Sequence, residues 1–214
     1  YFMYFLDLMK KACRWRNRDD RTYRELYDEL KEQFDKKYLT PDGYSVCNQE
    51  SLLALLIDLG FHGEKELHNF GKQLSARVKE KGYFHECGLI GMRHLFHSLV
   101  KIGDFDAAYR VLNQTEQPSY GSWIKAGNTM LVETWGDTMS KNHHMFSDVA
   151  SFFIKSIAGI AYSYEGGLLV TVAPNGFDQM DFAKAEQKAP FGMLSSAWKR
   201  EDGRIRLVLQ IPEN

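Results

Sequence analysis

Glu133 has the sequence neighbours that could put a carboxylate to chemical use. It stands between Val132 and Thr134, with Trp135 two places on and the pair His143-His144 ten residues further along. Upstream, Tyr120 and Trp123 supply flat apolar faces among the breakers Pro118, Gly121 and Gly127, and His85-Glu86-Cys87-Gly88 forms a second polar cluster. Aromatic rings beside a carboxylate suit carbohydrate, because the C–H face of a sugar stacks on a ring while its hydroxyls seek charged partners. The plainer readings stand beside this one. A Glu between Val and Thr also fits a salt-bridged helix surface, His143 also fits a cap or a core position, and at least one of Tyr120, Trp123 and Trp135 reads as core. Glu86, ahead of an apolar helix, fits an acid favoured by the helix dipole as well as it fits a substrate contact.

His94 and His97 share a helix face at a spacing metals use, yet the sequence supplies no evident third ligand, so neither a metal nor another cofactor is expected. Cys13, Cys47 and Cys87 are odd in number and widely spaced, which argues for buried thiols rather than a disulfide framework or a zinc knuckle.

These candidates need helices to carry them. From the start to about residue 160 the apolar period is helical. "YFMYFLDLMKKACRW" reads as an amphipathic helix, and Tyr23, Leu26, Tyr27, Leu30, Phe34 and Tyr38 form one stripe behind the possible caps Asp19 and Asp20. Thr40-Pro41-Asp42-Gly43 is a turn. Asn48 is placed to cap the next helix, which is apolar on most faces, runs to Gly60 and reads as an inner element. A polar helix over 64–81, an apolar one over 89–102 and a polar-faced one over 105–114 opened by Asp104 continue the alternation. Alternating inner and outer helices with short turns describe a ring of helical hairpins; a layered bundle has the same periodicity. The segment 115–137 breaks the pattern and reads as a long irregular loop.

Near Gly159 the character changes. "GGLLVTVAP" is β-prone, and "LSSAWKREDGRIRLVLQIP" is a hairpin turning at Asp202-Gly203, with Ile205, Leu207, Leu209 and Ile211 alternating with more polar positions. The expected division is therefore 1–160 helical and 161–214 β, the β unit being too short for a full sandwich. The first residues read as mid-helix and the last fall just past a strand, so the chain is expected to be a piece of something longer.

Composition narrows the partners. The 214 residues include 44% hydrophobic positions, enough for a sizeable core, and 27 Lys+Arg against 28 Asp+Glu leave a formal charge of -1. Such a balance offers no field for nucleic acid or an anionic membrane, and no apolar run approaches the ~20 residues of a membrane span. A neutral partner suits the chain better.

The order Pro118-Ser119-Tyr120-Gly121, Gly127-Asn128-Thr129, Glu133 with Trp135, then "NHHMFSDVASFFIKSIAGI" and "APFGMLSSAWKREDGRIRLVLQIPEN" resembles the bacterial α-L-rhamnosidases of glycoside hydrolase family 78. "QESLLALLIDLG", "CGLIG" and "GDFDAAYRVLNQTEQPSYG" follow the same order. The resemblance implies a mainly α fold, part of an (α/α)6 helical barrel followed by a partial antiparallel β-sandwich. It further implies inverting hydrolysis of terminal α-L-rhamnosides. By the same resemblance Glu133 takes the place of the general base and His143 that of a histidine holding sugar hydroxyls, with Trp135, Tyr120, Trp123 and Glu86 as further candidate substrate contacts.

An inverting glycosidase needs a second carboxyl group ~6.5–9.5 Å from the base to protonate the leaving oxygen. In the family that acid lies upstream in a loop this chain does not contain, so the chain is expected to carry the base side alone and to be inactive by itself. Three departures from the family pattern bear on sugar specificity: Val132 stands where a tryptophan is common, Tyr120 replaces the usual tryptophan of Pro-Ser-Trp-Gly, and the loop between Glu133 and His143 is short. Another helical-barrel glycan enzyme, acting on a uronic acid as hydrolase or lyase, and a non-catalytic carbohydrate-binding module are the alternatives.

Overall fold

The computed structural model describes residues 1–136, 139–163 and 169–212. Helices α1 (Phe2–Trp15), α2 (Arg21–Tyr38), α3 (Glu50–Leu59), α4 (Glu64–Glu80), α5 (Leu89–Lys101) and α6 (Phe105–Leu112) come first. α1 packs on α2, α3 on both α4 and α5, and α5 on α6, so that α3 and α5 are the inner pair and α4 and α6 lie behind them. The cause is the distribution of apolar side chains. Leu53, Ala54, Ile57, Leu95 and Leu99 on α3 and α5 are wholly enclosed, each aliphatic side chain of Leu or Ile size contributing about 1.5–3 kcal/mol by leaving water. α4 buries one stripe only, Phe70, Leu74 and Val78. On α2 the expected apolar stripe buries no residue fully, because Tyr27 and Phe34 are covered from one side.

Helix starts follow local hydrogen bonding. Asp104 opens α6 as expected, its carboxylate accepting the N–H of Ala107 at 3.2 Å. At α2 it is Asp19 that accepts the Arg21 N–H, at 2.9 Å, while Asp20 pairs with Arg14 and Arg24. α3 begins two residues beyond Asn48, without a side-chain cap.

The segment read as an irregular loop contains a short helix, α7 (Tyr120–Lys125), whose first turn is capped by Ser119 accepting the Ser122 N–H at 3.0 Å. After it come α8 (His144–Ser147), α9 (Val149–Phe152) and a π-helical turn, Phe153–Ile157.

Five strands complete the chain. β1 (Ile160–Ser163) pairs antiparallel with β2 (Leu169–Val172); β3 (Phe182–Ala189), β4 (Gly192–Glu201) and β5 (Arg204–Gln210) form an antiparallel meander. The Gly166-Gly167-Leu168 part of the expected first strand lies outside the described residues, as do Glu213 and Asn214 at the end. The β4–β5 hairpin turns at Asp202-Gly203, both with positive φ (49° and 72°), as the right-handed twist of a two-residue turn requires. β3 was not expected from the sequence: Ala, Lys, Glu and Gln favour helix. It forms because Ala183, Ala185, Gln187 and Ala189 alternate with exposed Lys184, Glu186 and Lys188, so pairing with β4 turns the small residues inward. The alternation in β5 does not produce a buried face among the described residues; Leu207 and Val208 are 40% and 54% exposed.

Helical and β parts are joined by hydrogen bonds as well as by chain. The carbonyls that end a helix lack intrahelical partners, and here β4 supplies them: Trp198 Nε1 donates to the Ile157 carbonyl at 2.8 Å and Ser196 Oγ to that of Ala158 at 2.7 Å. Trp198 is 1% exposed. At the junction Gly159 adopts φ 71°, and a Cβ there would stand 2.1 Å from the Pro174 nitrogen, so the close crossing of the two backbones requires glycine.

Candidate functional site

Residues 131–143 fold back on themselves. The His143 N–H donates to the Leu131 carbonyl at 2.8 Å and the Glu133 N–H to the Ser140 carbonyl at 2.9 Å, which brings Glu133 and His143 to the two sides of one loop neck. The Glu133 carboxylate accepts the Ser140 N–H at 3.2 Å, so its orientation is set from within the loop. Glu133 is half-buried. It lines neither the cavity of about 880 Å³ between α6, α7 and β3 nor the one of about 500 Å³ bordered by Asp58, Arg93, His94 and Asp148.

His143 is the N-cap of α8: its Nδ1 accepts the Met145 N–H at 3.3 Å. That contact places the ring proton of the neutral imidazole on Nε2, leaving a donor of the kind that holds a sugar hydroxyl. The ring stacks on His144 at 5.1 Å.

Trp135 is the centre of an aromatic cluster. Its ring lies 4.5 Å from Trp123, 4.5 Å from Phe146 and 4.5 Å from His85, with Tyr120 at 5.7 Å. The Trp135 carbonyl accepts from Gln117 Nε2 at 2.8 Å and from Trp123 Nε1 at 3.3 Å, while its own Nε1 donates to the Cys87 carbonyl at 3.3 Å. Packing on both faces and hydrogen bonds at three points hold the backbone two residues from Glu133.

The sequence candidates thus separate. Glu133, Trp135 and His143 share one loop. Trp123 and Tyr120 are core residues, 3% and 8% exposed, and Tyr120 donates its hydroxyl to the Phe146 carbonyl at 2.9 Å; burial pushes that phenol well above its ordinary range. Both rings are thus largely enclosed, Tyr120 at the margin of the cavity between α6, α7 and β3. Glu86 is exposed and engaged by Arg77 at 2.5 Å and Lys81 at 2.7 Å, and those hydrogen bonds hold its carboxyl below the usual range. It forms a surface ion pair just ahead of α5. Val132, 1% exposed, is interior as well, so two departures from the family pattern, at 120 and 132, fall in packed core. His94 and His97 each bind their own carboxylate, Asp58 at 2.6 Å and Asp148 at 2.8 Å.

Beneath the aromatic cluster lie His85, from the second polar cluster of the sequence, and Glu50, which the sequence does not single out. His85 is 3% exposed, and burial pulls its imidazole down to about 4, against the Cys87 backbone. Glu50 is 2% exposed at the start of α3, accepting from the Glu86 N–H and the Cys87 thiol at 3.2 Å each; burial raises its carboxyl. A carboxylate in the run Gln49-Glu50-Ser51-Leu52-Leu53 reads as an ordinary first-turn acid, and only packing reveals its enclosure.

Helical hairpins closed by an antiparallel β part, with an acid and a tryptophan on a loop between them, are the architecture of a six-hairpin glycosidase. Residues 1–157 match the bacterial alpha-L-rhamnosidase 6 hairpin glycosidase domain and residues 159–214 the bacterial alpha-L-rhamnosidase C-terminal domain. The chain belongs to the bacterial α-L-rhamnosidase family. It is 25% identical over 225 residues to an α-L-rhamnosidase of Streptomyces avermitilis and 28% identical over 230 residues to one of Formosa agariphila, in each case along 100% of this chain. It spans 22% and 24% of the length of those relatives. The crystal structure of the Streptomyces avermitilis α-L-rhamnosidase complexed with L-rhamnose superposes with a TM-score of 0.87 at 23% identity, covering 98% of this chain and 22% of that one. At that identity the likeness shows the fold.

Proposed function

We propose that this chain is the base-bearing part of a longer inverting α-L-rhamnosidase, in which Glu133 deprotonates the attacking water and a carboxyl group outside these residues protonates the leaving oxygen. The observation that carries the reading is the loop neck, where Glu133 and His143 stand on facing strands of one loop and the carboxylate is already oriented by the Ser140 N–H. A base must be held by something other than its substrate, because misplacement by a fraction of an ångström is costly in rate. Trp135 supplies that hold. His143 Nε2 donates to a sugar hydroxyl, and Trp135, half-buried, offers what remains of its edge. In this reading the acid-bearing wall of the site faces Glu133 across the ~6.5–9.5 Å that an inverting pair needs for its water.

The test is Glu133→Gln in the full-length protein with p-nitrophenyl α-L-rhamnoside, expected to lower kcat by about 10²–10⁴-fold with the folded state retained. Proton NMR of the first product is expected to show the inverted anomer. Wild-type turnover by that variant would remove Glu133 from the mechanism. Cleavage of uronosides and not rhamnosides by the wild type would move the enzyme to another glycan class.

A further inference from the structure

A buried carboxylate on α3 bears on the same loop. Glu50 lies at the start of α3, 2% exposed, with one oxygen accepting the Glu86 N–H at 3.2 Å and the other the Cys87 thiol at 3.2 Å. The carbonyl of Cys87, on the other side of the same segment, accepts Trp135 Nε1 at 3.3 Å, and the neighbouring His85 ring lies 4.5 Å from the Trp135 ring. The segment 85–88 is therefore clamped between Glu50 and Trp135. Its approach is fixed too: Tyr83 holds a left-handed φ of 66° with the Arg110 guanidinium 4.7 Å over its ring, and Glu86 is tied to Arg77 and Lys81.

Enclosing a carboxyl group is unfavourable unless its oxygens are hydrogen-bonded, and an apolar side chain of similar volume would fill the space with less penalty. What a carboxylate adds is direction: two acceptors that fix where the 86–87 backbone stands, and hence where the Cys87 carbonyl points. From the geometry we infer that Glu50 is a positioning residue for the reaction, setting the Cys87 carbonyl that holds Trp135 and through it the loop that carries Glu133. The inference rests on the reading of Glu133 as the base. Glu50 itself touches no reacting atom.

The test compares Glu50→Gln, Trp135→Phe and the double variant in the full-length protein, with Glu133→Gln alongside. Trp135→Phe keeps an aromatic ring and removes the donor to Cys87. Glu50→Gln is expected to lower kcat about tenfold with KM changed less than twofold, since a displaced base is felt in the transition state. The double variant is expected to be no slower than Trp135→Phe, because residues acting through one contact are not additive. Should Glu50→Gln not fold, Cys87→Ala removes one of the two donors to Glu50 and is expected to lower kcat about threefold, again with KM unchanged. Wild-type kcat in a folded Glu50→Gln or, failing that, in Cys87→Ala overturns the positioning role, and so does a double variant whose losses multiply. If Glu133→Gln is inactive in the same series, that failure leaves the base assignment standing; if Glu133→Gln retains turnover, the base assignment fails instead.

Discussion

Trp135 lies parallel to Trp123, ring centroids 4.5 Å apart and planes inclined by 21°. Two rings that the sequence offers to a sugar pack on each other. Trp123 is 3% exposed, so its replacement by Ala opens a cavity under the Glu133 loop. Loss of about 3–5 kcal/mol is expected, as for other buried aromatics, measured by denaturant unfolding. A loss under 1 kcal/mol would mean the stack is not part of the core.

His143 has two roles to separate. It caps α8 through Nδ1, and the proposal gives Nε2 to a sugar hydroxyl. His143→Ala is expected to lower stability by about 1 kcal/mol as a lost cap and to raise KM for the rhamnoside about tenfold or more. His143→Asn, which also caps, restores the stability. If KM stays at the wild-type value in both variants, the histidine is a cap alone.

The buried imidazole of His85 gives a pH dependence with a definite sign. Its ordinary value of 6.5 falls to about 4 in the folded chain. Between those values the unfolded chain binds a proton that the folded chain does not, so stability is full above 6.5, declines as pH falls towards 4, and levels off below. The difference is on the order of 3 kcal/mol. Followed from pH 7.5 to 3.5, the unfolding free energy of wild type is expected to fall by about 3 kcal/mol more than that of His85→Leu. Parallel curves would show that His85 is protonated as readily folded as unfolded.

Gly159 marks the crossing from helix to strand. With φ 71° and the Pro174 nitrogen 2.1 Å from an added Cβ, Gly159→Ala meets backbone on one side and strain on the other. A loss of about 2–4 kcal/mol is expected by thermal or chemical unfolding. Gly60→Ala also meets an unfavourable left-handed φ, of 77°, but nothing stands within 4 Å of its Cβ, so a cost nearer 1 kcal/mol separates strain from collision.

Sequence by itself determined a good deal of this protein. The run of Leu52, Leu53, Leu55, Leu56 and Leu59 makes α3, the Asp202-Gly203 pair makes the β4–β5 turn, and short motifs from residue 49 to the last residues carry the family resemblance, because each depends on neighbours a few places apart. Tertiary structure alone decided the rest. Whether Tyr120 and Trp123 face a ligand or a core depends on what packs over them, and β3 is a strand against its own helix preference because β4 offers it a partner. Glu50 looks like any acid in a first helical turn until Glu86 and Cys87, more than thirty residues on, close over it. Burial is a property of what arrives from elsewhere in the chain, and local spacing does not encode it.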